Sequence, residues 1–249
     1  MPTVLTDTLL VLDRYLRQTL RSRIALVFGL MQPALFLVLF GPLLRDVPLG
    51  EGDSWQILVP GLLVQLGLFS AAFAGIGIII EKQLGIVERM RVTPVSRLAL
   101  LLGRVLRDTV VLLTQSLVLV LLGTALGLRA PVPGVLIGFL VVAGLGISLA
   151  SLSYAFAMRV NSAQEFAPAI NAVNLPAMLL SGILLPMSLA PGWLDALSRA
   201  VPFRYLVEGV RAAFLGDYGS TLLIGLLVTA GLMALSLALG SRLFSRAGA

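Results

Sequence analysis

The sequence contains no cysteine and no histidine. Disulfides and thiolate chemistry are excluded, and so are most zinc sites, which draw their ligands from those residue types. The side chain that ordinarily changes charge near neutral pH is also missing. Charge of either sign is scarce: Asp, Glu, Lys and Arg make up 12% of the chain, about half of what a soluble domain carries. With 58% apolar residues and a mean hydropathy of +1.02, too little polar surface is left to face water. No GxxxxGK[ST] segment is present to cradle phosphates, and the apolar runs leave no room for a soluble nucleotide-binding domain.

What the sequence does have is long, continuous apolar runs. About 20 such residues, rising 1.5 Å each in a helix, cross a hydrocarbon core. Strands of a membrane barrel would instead alternate apolar and polar residues over segments of ~10. The runs predict an all-α membrane protein with six transmembrane helices, over 24–44, 55–80, 110–128, 134–158, 166–185 and 222–244, in a single transmembrane domain covering 1–249.

The net charge of +6 follows topology rather than nucleic-acid binding. Thirteen of the 18 basic residues lie before the first run, between the second and third, between the fourth and fifth, or at the C-terminal end; the acidic residues split evenly between the two sides. Excess Lys and Arg marks the cytoplasmic side, so both termini are expected in the cytoplasm, on a multi-pass protein of the inner (plasma) membrane. In the first 23 residues Leu5, Leu9, Leu12, Leu16 and Leu20 share one helical face and Arg14, Arg17 and Arg21 another. That pattern predicts an amphipathic helix in the membrane interface, not a cleavable signal.

Between the second and third runs the chain reads EKQLGIVERMRVTPVSR, from Glu81 to Arg97. Glu81, Lys82, Glu88, Arg89 and Arg91 give mixed charge, and Leu84 and Val87 an apolar edge. Thr93-Pro94 stops the helix. The pattern suits docking in a groove of a soluble partner, or a basic loop that only fixes topology. Between the fifth and sixth runs, 186–215 predicts two short amphipathic helices on the external side. After Pro202, Phe203, Leu206, Val207, Val210 and Phe214 recur at helical spacing. Arg204, Glu208 and Arg211 share the opposite face, where Arg204 can pair with Glu208 and Glu208 with Arg211. Each helix is too short to span, and a re-entrant pair dipping into the outer leaflet is expected, as a gate or rim or as a packed cap.

The order of these features resembles the ABC-2 type permeases, the membrane subunits of ATP-binding-cassette transporters, and the daunorubicin-resistance branch most of all. VTPVSR at 92–97, followed by GRVLRD at 103–108, is similar to that family's loop after the second span. LAPGWLDALSRAVPFRYLVEGVRA at 189–212 is similar to its region before the last span. The resemblance implies an exporter that works with two separate ATPase subunits, which would bind ATP and Mg and leave no cofactor in this chain. It implies a second permease copy or a related permease, membrane lipids as surroundings, and no nucleic acid. The segment 81–97 would be the coupling segment, with Glu81, Lys82, Leu84, Val87, Glu88, Arg89 and Arg91 docking on the ATPase. Phe203, Arg204, Glu208 and Arg211 would form the external gate or rim. Spans 2 and 5 would lie near the substrate path. There Gln65, Phe69 and Phe73 share a face of one, and Asn171, Asn174 and Met178 a face of the other. Together they suit a lipophilic substrate such as a drug, an antibiotic or a lipid-like molecule. Each polar residue also has the plainer reading of a hydrogen bond between helices.

Two other classes fit less well. An ion-coupled secondary transporter would want a buried carboxylate or histidine relay, but Asp108 and Glu165 sit at span ends and no internal repeat is visible. A lipid-modifying membrane enzyme would need a clustered acid, base or metal set, whereas Asp195, Glu208 and Asp217 are spaced for ion pairing.

Overall fold

A computed structural model describes residues 4–21, 23–44, 53–86, 96–184 and 186–246. Among the described residues there is no strand. The helices are α1 (Val4–Arg21), α2 (Arg23–Leu43), α3 (Ser54–Ala72), α4 (Ile76–Gln83), α5 (Arg97–Leu126), α6 (Val132–Ala157), α7 (Ala163–Leu180), α8 (Gly192–Ser198), α9 (Pro202–Leu215) and α10 (Ser220–Arg246), with a 3-10 turn at Met187–Leu189.

Local chemistry sets the ends. Asp53 and Gln56 form a capping box at the start of α3, and the Gln56 side chain also donates to the carbonyl of Arg129 at 2.6 Å. The Ser96 side chain caps α5, which ends at Gly127 with φ 119°. The ladder breaks between α3 and α4, and Ser153 of α6 repairs it. Its hydroxyl donates to Ala72 O at 2.6 Å and accepts from the Gly75 N–H at 2.9 Å. Ser54–Gln83 can therefore cross the membrane as one bent element without stranding backbone groups in lipid.

Among the described residues, four helical stretches are long and apolar enough to cross a membrane: Ser54–Gln83, Leu98–Leu126, Val132–Ala157 and Ser220–Leu243. They correspond to the second, third, fourth and sixth expected spans. The third begins well before the expected 110, because Arg104 and Asp108 are paired inside the fold and do not end the helix. The fifth expected span falls short of the same measure, because Gln164, Glu165, Asn171 and Asn174 dilute the hydropathy of α7. In α2, which runs 21 residues, the described apolar stretch is Gly29–Leu43.

The core surrounds α3, which is buried on every face between Ile57 and Leu68. Leu37 of α2, Leu112 and Leu119 of α5, Val142 and Leu145 of α6, and Phe214 of α9 all pack into the same cluster. Helix α1 lies on α5 through Thr8, Val11 and Tyr15, and leaves Leu5 and Leu9 exposed. Helix α9 packs against α3, α6 and α10. It meets α10 closely: a Cβ on Gly225 would lie 2.8 Å from the Tyr205 carbonyl oxygen.

Candidate functional site

The described part of the expected docking segment turns mostly inward. Glu81 Oε2 accepts from Arg104 Nη2 at 2.5 Å and from the Tyr15 hydroxyl at 3.2 Å, and Arg104 Nη2 also donates to Tyr15 Oη at 2.8 Å. The Arg104 guanidinium lies 5.1 Å from the centre of the Tyr15 ring. Burial, opposed by Arg104, raises the Tyr15 pKa above its ordinary 10.0. Lys82 donates in the other direction, to Met158 O at 3.2 Å and Val160 O at 2.9 Å, so it holds the C-terminal end of α6. Leu84 is exposed. Val87, Glu88, Arg89 and Arg91 lie outside the described residues. Sequence reasoning missed Tyr15 and Arg104. The available signals were an aromatic hydroxyl on the Thr8–Val11 face of α1, away from its arginines, and an arginine inside a largely apolar helix.

The six residues expected along the substrate path do not share one surface within this chain. Gln65, Phe69 and Phe73 line a cavity of about 420 Å³ bounded by α1, α2, α3 and α5. Asn174 lies on the other side of α3, at a smaller cleft of about 190 Å³ between α6 and α7 that Phe203 also lines. It donates from Nδ2 to Leu68 O at 3.2 Å, which ties α7 to α3. Met178 packs against the main core, and Asn171 is half-buried with no hydrogen bond among the described residues. Gln65 is 2% exposed, and its Oε1 is buried without a partner among the described residues. An orphaned acceptor of this kind costs about 1–3 kcal/mol.

Of the four residues expected at the external rim, Arg211 is placed differently. It is 8% exposed and points into the core. Its Nε donates to Ile57 O at 3.0 Å, and its Nη2 donates to Gly182 O at 2.8 Å and Ile183 O at 3.0 Å. The expected Glu208–Arg211 pair is therefore not formed. A guanidinium fork can satisfy several carbonyls at once, and the turn after α7 presents two that its own helix leaves open. Arg204 does pair with Glu208, at 2.7 Å, and it also reaches Asp195 at 2.6 Å and the Ser198 hydroxyl, which locks α8 onto α9. Hydrogen bonds from Arg199 and then Arg204 hold the Asp195 carboxyl below the usual carboxylate range. Phe203 sits at the foot of α9, half-buried.

A family profile described as ABC-2 type transporter matches residues 6–215. The "Putative transport permease ycf38" of Cyanophora paradoxa is 28% identical over 222 residues, 87% of this chain and 76% of its own length. The "Probable doxorubicin resistance ABC transporter permease protein DrrC" of Mycobacterium tuberculosis is 26% identical over 245 residues, 95% of this chain and 88% of its own length. The "Daunorubicin resistance ABC transporter permease protein DrrB1" of Streptomyces coeruleorubidus is 25% identical over 246 residues, 97% and 87% of the two chains.

Proposed function

This chain belongs to the ABC-2 type transporter family and is the membrane permease subunit of an ABC exporter, and on that premise we propose how it crosses the membrane, takes up energy and passes its substrate. Helices α2 and α7 complete a set of six spans. Their 21 and 18 residues give lengths of about 31 and 27 Å, close to a hydrocarbon core of ~30 Å. Both termini are cytoplasmic, by the distribution of Arg and Lys. Helices α8 and α9 re-enter from the external side, with Phe203, Arg204 and Glu208 at the rim and Arg211 as the clamp behind it.

Two copies of this chain, or one with a related permease, bind two ATPase subunits that carry ATP and Mg. Closure of the ATPases shifts the permeases between inward-open and outward-open states. The observation that carries the coupling is the bonding of Glu81 to Arg104 and Tyr15, which joins the cytoplasmic end of α4 to both α1 and α5. Because Glu81 and Lys82 are committed to the fold, ATPase contact falls to Leu84, Val87, Glu88, Arg89 and Arg91. A lipophilic substrate suits the apolar walls of both cavities, and two relatives are named for doxorubicin and daunorubicin resistance.

The test is co-expression with the candidate ATPase and purification in nanodiscs. One variant replaces 84–91 by a flexible linker of equal length and keeps Glu81 and Lys82. A complex with ATPase activity that is lost in the variant, while the permease still inserts, is the expected result. A complex indifferent to the replacement would sink the docking assignment.

A further inference from the structure

The cavity bounded by α1, α2, α3 and α5 holds about 420 Å³, within the range of small-molecule sites. Three glutamines reach it from three helices: Gln32 of α2, Gln65 of α3 and Gln115 of α5. The Gln65 acceptor is buried and unpartnered among the described residues. Bare acceptors inside a membrane protein are costly, and a polar ligand is one of the few things that can satisfy them there. The charges at one end of the cavity cancel. Arg107 pairs with Asp108 at 2.9 Å, and the Asp108 carboxylate also accepts from the Tyr154 hydroxyl. Among the described lining residues no uncommitted carboxylate is left for an amine, and the Arg107 charge is balanced by Asp108. An amide presents both donor and acceptor, the complement of a hydroxyl or a second amide. Phe69 and Phe73, one helical turn apart, add an apolar wall.

We propose that this cavity is a binding site, within a single subunit, for an amphiphile whose head group is neutral and bears hydroxyls or amides. A sugar or glycerol head group is the simplest case. The head meets the glutamines and the apolar body lies on Phe69 and Phe73. The site deepens the permease reading and rests on it for one point, that the occupant arrives from the membrane. Two sources share this chemistry: the exported molecule, and a membrane glycolipid held in the subunit.

The probe is a dodecyl glucoside carrying a diazirine on its alkyl chain. It is photolysed with the permease in nanodiscs, with and without its ATPase, and labelled peptides are mapped by mass spectrometry. Label is expected on the peptides holding Phe69, Phe73 and Val111. Dodecyl maltoside below its micellar concentration should displace it, and dodecyltrimethylammonium and dodecyl sulfate should not. Gln65→Leu should weaken labelling at least tenfold. Gly29→Leu should do the same by filling the cavity, since even a Cβ there would lie 2.6 Å from Gln115 Nε2. Size-exclusion profiles check that both variants fold. Labelling that also stimulates the ATPase identifies the exported molecule; labelling without stimulation identifies a resident lipid. Either sustains the site. Label spread over outward-facing residues such as Leu117 and Leu121, equal displacement by the ionic amphiphiles, or normal labelling of Gln65→Leu overturns it. Loss of the ATPase complex with labelling intact counts against the docking assignment alone.

Discussion

Glu81 Oε2 and Arg104 Nη2 meet at 2.5 Å across the junction of α4 and α5, with Arg104 almost fully enclosed. A pair this buried is weak evidence of net stability, because desolvation offsets attraction. Breaking one side of it is another matter. Arg104→Leu leaves the Glu81 carboxylate without its guanidinium and should cost about 3–5 kcal/mol. The double variant Glu81→Leu/Arg104→Leu should recover most of that loss. Unfolding free energies in mixed micelles, combined in a double-mutant cycle, measure the coupling; additive losses would show that the pair does not act as a unit.

Tyr15 gives the same cluster a pH signature. Its neutral hydroxyl donates to Glu81, and burial raises its pKa above 10.0 in the folded chain. Its contribution is therefore fully present below pH 10 and lost as pH rises through the higher folded value. The stability difference between wild type and Tyr15→Phe should be flat from pH 7 to about 10 and shrink only beyond that. A difference that already declines between pH 7 and 9 would contradict this burial.

Arg211 closes three carbonyls from two separate elements. Arg211→Met retains much of the apolar stem but leaves those oxygens unsatisfied, and should cost about 3 kcal/mol or more. Arg211→Lys should restore only part, since one ammonium cannot reproduce a planar fork. Thermal unfolding of the two variants in nanodiscs should rank them wild type, Lys, Met.

Gly61 faces the Ile183 carbonyl so closely that a Cβ would lie 1.9 Å from the oxygen. Backbone cannot yield as a side chain can, so Gly61→Ala should destabilise by about 1–3 kcal/mol. Gly231→Ala, with nothing within 4 Å of its added Cβ, is the control and should leave the unfolding midpoint unchanged.

Long apolar runs made α3, α5, α6 and α10 legible, because crossing a hydrocarbon core demands length and continuity whatever the neighbours are. Helix α7 was read from a weaker run, and its asparagines are what keep it below the same measure. Helical-face arithmetic grouped Gln65, Phe69 and Phe73 correctly on one side of α3. It could not tell which helix that side meets, so Asn174 was assigned to the same surface when α3 stands between them. Arg204 and Glu208 paired as their i, i+4 spacing predicts, because that contact is local. Arg211 escaped the same rule because the carbonyls it satisfies belong to residues 28, 29 and 154 positions away. The inward turn of Glu81 was hidden for a related reason: its partners come from α1 and α5, and nothing in a charged cytoplasmic segment announces them.

Glu81 and Lys82 are neighbours in sequence, yet they hold opposite halves of the chain. One grips α1 and α5; the other grips the turn leaving α6. The end of α4 is therefore tied on two sides at once, and a displacement of the segment just beyond Gln83 would pull on both attachments together.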